Sequence, residues 1–447
     1  MFEITNYGDV ASKYSGVGEV VLRGVKVQCD FEVHQLHSNR VFVNCLFKKF
    51  IHFQYSRRDP RVDLQLRGIT KEQYDLLCQG KGIVLYSGIA YGYEYEETLV
   101  CSMAGFDEDV LLKVVRNINS TISSYRFHLV NLVLFHDPVL FQIQGVKCKI
   151  ERVPDSSDFA ILNREKGISI TSYLTIETLF SSEEEMNKFV GAICNLLSLA
   201  KGTLINWICY DELDDQGLIV CSYHDTWRTM SFQSIELIAF ESTHFSEYLE
   251  RGFEAYSKIS KDYDMERAMQ LFLYTHGYEV MESHALVICS LIDYLSNIYV
   301  SAHSSPHLTD EKTFKKFKRK ILKPFIKLVQ DIATELEFDD KNANSYFEQI
   351  NNRKSFRDKL EFFVNQLKAP ITTEEISIFV KSRNSIVHTS RFSRDKINGS
   401  NSEEFYEMLH FLDRTMLALL KYTGPYTNVV TMRNSPIGSN NDHFELK

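Results

Sequence analysis

EVVLRGVKVQCDFEVHQL, residues 19–36, alternates apolar and polar side chains along most of its length. A period of two puts every second side chain on one face of an extended strand, which a helix cannot do. The pattern recurs in RVFVNCLF (40–47), VDLQLRG (62–68), GIVLYSGIAYGYEYEE (82–97), FHLVNLVLF (127–135) and FQIQGVKCKIERV (141–153), with Gly, Asn, Asp and Ser clusters between. Up to about residue 178 the chain therefore reads as a mostly antiparallel sheet or barrel.

The period changes at Ser182. Ser182 and Glu185 have the spacing of a capping box, and MNKFVGAICNLLSLAKG reads as an amphipathic helix stopped by Gly202. TLINWICYDELDDQGLIVCSYH (203–224) returns to strands around an acidic turn, in which Asp211, Glu212, Asp214 and Asp215 are expected to be solvated. From Thr243 to Tyr422 the period is helical, with segments near 243–259, 264–275, 280–302, 311–336, 343–367, 373–391 and 402–422. The expectation is an α+β fold: a β-rich N-terminal region over 1–240, an all-α bundle over 241–428, and an unstructured polar tail over 429–447.

Composition narrows the function classes. The 447 residues are 44% hydrophobic and 24% charged, ordinary globular values, with a formal net charge of -9. The whole molecule is then no general polyanion binder, and nucleic acid would have to meet a local basic patch. The start, MFEITNYGDV, lacks the pattern of a secretory signal, and Ala285–Val300, the most apolar stretch, carries Asp293 and reads as a core helix rather than a membrane span. Nine scattered cysteines without a CxxC pair argue against a disulfide framework and a zinc site and favour a reducing, cytoplasmic compartment. His303 and His307 flank Pro306 and read as a loop, and no P-loop, nucleophile elbow or dinucleotide fingerprint is present. Neither a cofactor nor a metal is expected.

The chemistry-bearing residues lie at 372–391. Thr372 and Glu375 form a capping box, and Ile376, Phe379, Val380, Ile386 and Val387 share one helix face. Arg383 falls inside that stripe, with Asn384 and His388 one turn apart on its margin. A guanidinium on a buried face needs an anionic partner. Asp293, on a helix apolar almost all round, is the best carboxylate, so an Arg383–Asp293 pair is expected, leaving one edge of the Arg fork for a ligand. Lys312–Lys327 adds eight basic residues and no acid. Phe314, Phe317, Ile321 and Phe325 form its apolar stripe, while Lys316, Arg319 and Lys320 lie on its basic face and, with Arg391, are candidates for steering an RNA backbone.

Arg383-Asn384-Ser385-Ile386-Val387-His388 resembles the R-N-x-x-x-H motif of the HEPN superfamily. Ser290–Leu295, with Asp293, resembles the acidic helix of that domain, although Glu is commoner there. Arg414–Tyr426 is similar to the closing helix and Tyr-x-Gly-x-Tyr ending of the ApeA-like HEPN group, in which a β-rich region precedes the bundle. The resemblance implies a metal-independent endoribonuclease of antiphage defence, acting by abortive infection as a homodimer or higher homo-oligomer. It also implies a phage-derived trigger acting at an N-terminal sensor. An RNA 2′-OH would attack its own phosphate, with His388 moving a proton and Arg383 meeting the charge that develops. The alternative is a catalytically inactive module that dimerises or binds RNA or protein, with Arg383 and His388 only structural.

Overall fold

The computed structural model describes residues 10–22, 24–36, 40–47, 61–91, 94–104, 111–116, 119–134, 138–153, 170–224, 236–238, 244–277, 280–336, 347, 352–393, 401–434 and 441–444. The chain divides into two compact units. The first is residues 1–257 with 424–427 and 441–443, and the second is residues 258–423 with 428–440 and 444–447. A β-rich N-terminal part is followed by a helical C-terminal part, as the change of period implies.

In the first unit, β1 (Val10–Leu22), β2 (Val25–Leu36), β3 (Arg40–Phe47), β4 (Arg61–Thr70), β5 (Asp75–Tyr91) and β6 (Glu94–Ala104) pair antiparallel in the order β4-β1-β2-β3-β6-β5. Pairing of β4 with β5 closes the ring into a barrel. Alternate residues of the quoted stretch, among them Val20, Leu22, Cys29, Phe31 and Val33, fill its interior with Val43, Phe47 and Leu66. Where β1 crosses β4, a side chain on Gly16 or Gly18 would run into the facing backbone, so glycine permits the tight corner that closure needs.

β7 (Leu111–Val115) pairs with β5 and leads into six further strands in the order β7-β13-β12-β8-β11-β10-β9. These comprise β8 (Ser124–Val130), β9 (Val139–Ile143), β10 (Val146–Arg152), β11 (Ile170–Glu177), β12 (Asn206–Leu213) and β13 (Ile219–His224). Helix α1 (Glu183–Lys201) starts at Ser182, whose hydroxyl accepts from Glu185 N, and stops at Gly202 in the left-handed conformation. The return arm of the capping box differs from expectation, because the Glu185 carboxylate accepts from Ser181 N and Oγ.

Two boundaries differ from the sequence reading. Helix α2 (His244–Ile259) falls almost entirely in the first unit rather than opening the second. Phe253 packs on Phe189 of α1 at 5.0 Å between ring centroids, and Tyr248 Oη donates to Leu196 O at 2.8 Å. Helical period marks an apolar face but not which neighbour covers it. In the segment 429–447, expected to be unstructured, the described residues form a short helix, Val429–Asn434, and a strand, Asn441–Phe444, paired with Gly424–Thr427; the rest of it lies outside the described residues.

The second unit contains α3 (Met265–Thr275), α4 (Met281–His303), α5 (Glu311–Leu336), α6 (Phe356–Leu367), α7 (Thr373–Thr389) and α8 (Asn401–Leu419). At 23 residues α4 is long and apolar enough to cross a bilayer. Its Ile288, Leu291, Ile292 and Leu295 are instead buried within a unit where α3, α6, α7 and α8 all pack against α4. Phe379 of α7 stacks on Phe411 of α8 at 4.4 Å between centroids. Between α3 and α8, His276 Nε2 donates to Asp413 Oδ1 at 3.1 Å with both side chains buried. Burial opposes a charged imidazole, but the Asp413 charge and hydrogen bond outweigh it and hold His276 above its usual value.

Candidate functional site

Helix α7 carries the motif. Its first turn is a complete capping box, with Thr372 Oγ1 accepting from Glu375 N and the Glu375 carboxylate accepting from Thr372 N. Glu375 also takes Arg414 Nη2 of α8 at 2.6 Å, and Arg414 Nη1 donates to Pro370 O at 2.8 Å. Burial would raise the Glu375 carboxyl, yet the Arg414 and Thr372 hydrogen bonds hold it below the usual carboxylate value. The start of α7 is therefore fixed to α8, and with it the rotation of everything downstream. The helix ends at Ser390 in the left-handed conformation, leaving His388 in the last turn, where a helix C-terminus favours positive charge.

Asn384 and His388 are exposed, as is Arg391, whose carbonyl accepts from Ser385 Oγ at 2.8 Å. Arg383 is half-buried. Its guanidinium stacks over the Phe356 ring at 4.9 Å from the centroid, and Nη1 donates to Asn384 Oδ1 at 3.2 Å. Its Nε is buried without a hydrogen-bond partner. Among the described residues no carboxylate pairs with Arg383, so the expected Arg383–Asp293 bridge is not formed. Asp293 is only half-buried and accepts from Asn297 Nδ2 at 3.0 Å. Asn297 Oδ1 in turn accepts from Lys359 Nζ of α6 at 2.8 Å. Asp293 is thus tied into a neutralising chain that the one-helix reading of α4 could not reveal. Arg383 bears instead on Cys289, one turn before Asp293: burial pushes that thiol up to about 12, while the Arg383 charge works against it.

Sequence reasoning missed Phe356 and Lys359. Ser355 caps α6 with a full capping box to Asp358, so Phe356 is the first residue of that helix, and Arg383 stacks at its positive end. The Ser-x-x-Asp spacing could have marked the helix start, but nothing local could have said which guanidinium would cover the ring. Arg357 Nη2 also donates to Ser377 Oγ of α7 at 3.1 Å, pinning the two helices together beside the stack.

Lys316, Arg319 and Lys320 are exposed on α5, as expected for a basic face, and none makes an ion pair among the described residues. No described interaction brings them to Arg383. The apolar stripe of α5 differs from expectation. Phe317 is exposed, and Lys318 lies with its Nζ over the Phe347 ring at 5.2 Å. Val387, placed on the buried face by its spacing, is exposed beside His388.

The expected solvated acidic turn also divides. Asp214 accepts from Gln216 N and Leu218 N, as a turn residue should, whereas Asp211 is buried and bonded to His128 and Ser222. No group of three or more His, Cys, Asp or Glu suited to a metal ion occurs among the described residues.

No curated protein and no solved structure matches the chain. A family model described as the YopA C-terminal domain matches residues 261–439, so the helical unit that carries every candidate site residue is similar to that family.

Proposed function

We propose that the protein is a metal-independent endoribonuclease whose site is built on α7 from Arg383, Asn384 and His388 and completed by a second copy of the chain, in the manner of HEPN domains. The observation that carries this reading is the state of Arg383. A half-buried guanidinium with no carboxylate partner among the described residues, held over Phe356 and steadied by Asn384, is a cation set to meet a phosphate. The positive end of α6 adds to the same potential.

Roles follow from the residue types. Arg383 meets the charge that builds on the phosphorus oxygens as the RNA 2′-OH attacks. His388, exposed on the last turn, moves the proton. Arg383 and His388 lie about 140° apart around the helix, since five residues advance roughly 500°. A facing α7 from a second protomer would bring the complementary group of each pair to one cleft. Exposed Val387 beside His388 gives such a dimer an apolar contact. Asp293 is kept as a residue that orders α4 and α6 through Asn297 and Lys359. The setting proposed is cytoplasmic antiphage defence, with the first unit sensing a phage-derived trigger.

The test is cleavage of RNA by the purified full-length chain under activating conditions, with Arg383→Ala and His388→Ala alongside. Expected are products ending in 2′,3′-cyclic phosphate, loss of at least about 100-fold in rate for either variant, and no change on adding EDTA. If both variants cut as well as the parent, the rival reading, a dimerising or RNA-binding module with structural Arg383 and His388, takes its place.

A further inference from the structure

The part of the N-terminal sheet that follows the barrel, β7-β13-β12-β8-β11-β10-β9, carries polar groups on a face where its neighbours are apolar. The register sets Asp211 opposite both Ser222 and Arg126, and Cys209 opposite both His224 and His128. Tyr173 continues the second row from β11. The start of β1 lies against this face. Tyr14 Oη meets His224 Nε2 at 3.3 Å, and Ala11 packs with Val130, Ile170 and Cys209.

Asp211, 5% exposed, is fully satisfied: it accepts from His128 Nε2 at 2.8 Å and from Ser222 Oγ at 2.6 Å. The cations around it are not. The Arg126 guanidinium lies over the Tyr173 ring and that of Arg116 over the Tyr74 ring, each 5.6 Å from the centroid. Neither makes an ion pair among the described residues, and the Nε of each is buried without a partner. The nearby acid Glu151 is engaged by Lys149 at 2.5 Å.

His224 completes the set. The ring is 4% exposed and its Nδ1 has no partner. Burial pushes the imidazole down to about 3, with the His128 charge acting the same way, so it is neutral. Burial also raises Tyr14, which keeps its proton and donates to Nε2. With Tyr14 as the donor, the His224 hydrogen is on Nδ1, the tautomer that presents an N–H to a ligand. Two buried N–H donors on full positive charges, and this unpartnered imidazole edge, lie around one satisfied acid. A buried donor left unpaired costs about 1–3 kcal/mol, more when charged. An aliphatic side chain at any of these positions would pack without that cost.

We propose that this face of the N-terminal unit binds a phosphate-bearing small molecule of nucleotide size, its phosphoryl oxygens accepting from Arg116, Arg126 and the Nδ1–H of His224. The size follows from the sheet. Arg126 and His224 stand two strands apart, about 10 Å at the usual strand spacing, too far for a lone phosphate. Tyr173, already stacked on Arg126, offers a ring surface for a base. The site lies within one unit and does not rest on the ribonuclease reading.

Titration calorimetry and thermal melting of the full-length protein test it, with inorganic phosphate, citrate, ADP and GDP as probes. The expected result is that at least one nucleotide binds about tenfold or more tightly than inorganic phosphate and raises the melting temperature. The Arg116→Gln/Arg126→Gln double variant should lose that binding by at least about tenfold. Without ligand it should melt no lower than the parent, because it removes unpaired buried charges. Should the double variant fail to fold, the single variants are read in its place. Three results overturn the proposal: no nucleotide outbinds inorganic phosphate, citrate binds as tightly as the best nucleotide, or the variants retain binding. The readout is binding alone, so its failure is separate from any failure to cleave RNA.

Discussion

A guanidinium stacked on an aromatic face keeps its edge N–H groups directed outward, whereas one bridged to a carboxylate has spent two of them. Arg383 on Phe356 is the first kind. Phe356→Leu is then expected to keep the fold but let the guanidinium wander, lowering RNA cleavage about fivefold in single-turnover assays, since such a stack is worth on the order of 1 kcal/mol. An unchanged rate would mean that the ring plays no part in holding the cation. The motif residues were legible from their capped helix and their spacing, but Phe356 was not, since stacking across helices leaves no local pattern. The Arg383–Asp293 pairing failed for a related reason: two charges on buried helices each need a partner, yet Asn297 and Lys359 had already met the need of Asp293. His276 and Asp413 supply a test of stability at the same scale. Because the folded-state value of His276 is raised, its contribution is complete below the ordinary imidazole range and falls away as pH rises through the raised value. The melting temperature should decline on going alkaline from about pH 6. Asp413→Asn should flatten that decline while costing about 3 kcal/mol, as expected for a buried pair deprived of one partner. Equal slopes for parent and variant would remove the pair as the cause.

Helix α5 exposes Lys316, Arg319 and Lys320 with no described acid to neutralise them, in a chain whose net charge is -9. Such a helix attracts a polyanion locally while the rest of the molecule repels it. Replacing the three by Gln should weaken RNA binding about equally for all sequences. It should also reduce the slope of log K against log salt by about 0.7 for each phosphate no longer neutralised, as for single strands. A slope that stays unchanged places the RNA elsewhere. The basic run and its helical period were plain in the sequence; the register of its apolar side was not. Lys318 sits beside the stripe with its Nζ over the Phe314 and Phe347 rings, while Phe317 is exposed, because a lysine can meet aromatic faces with its cation and cover apolar surface with its stem. Period counts apolar letters, and a lysine stem is not counted. The same limit explains Asp211, which reads with its acidic neighbours as part of a solvated turn and lies instead on the buried face of β12.

Two units of opposite secondary structure follow one another along the chain, and the change of period announced them both. What the period could not place was α2, whose apolar face belongs to the unit before it, because commitment of a face is settled by volume in the partner and not by the helix itself. A similar question arises one level up. Arg383 and His388 leave α7 about 140° apart, so the proposed site would be completed by a second chain, and the dependence of activity on chain pairing can be read directly. In a two-fold dimer each cleft draws on both copies. If Arg383→Ala and His388→Ala proteins, each expected to be inactive alone, are mixed in equal amount and allowed to exchange, about half of the dimers carry one chain of each kind, and one of the two clefts in each of these pairs an intact Arg383 with an intact His388. Cleavage should then return to about one quarter of the parent's. If each chain supplied both groups of its own site, no mixing ratio would restore activity. Recovery of cleavage from two inactive proteins therefore distinguishes a composite site from a monomeric one without any knowledge of the natural RNA, and its absence would return Val387 to the role of an ordinary exposed residue.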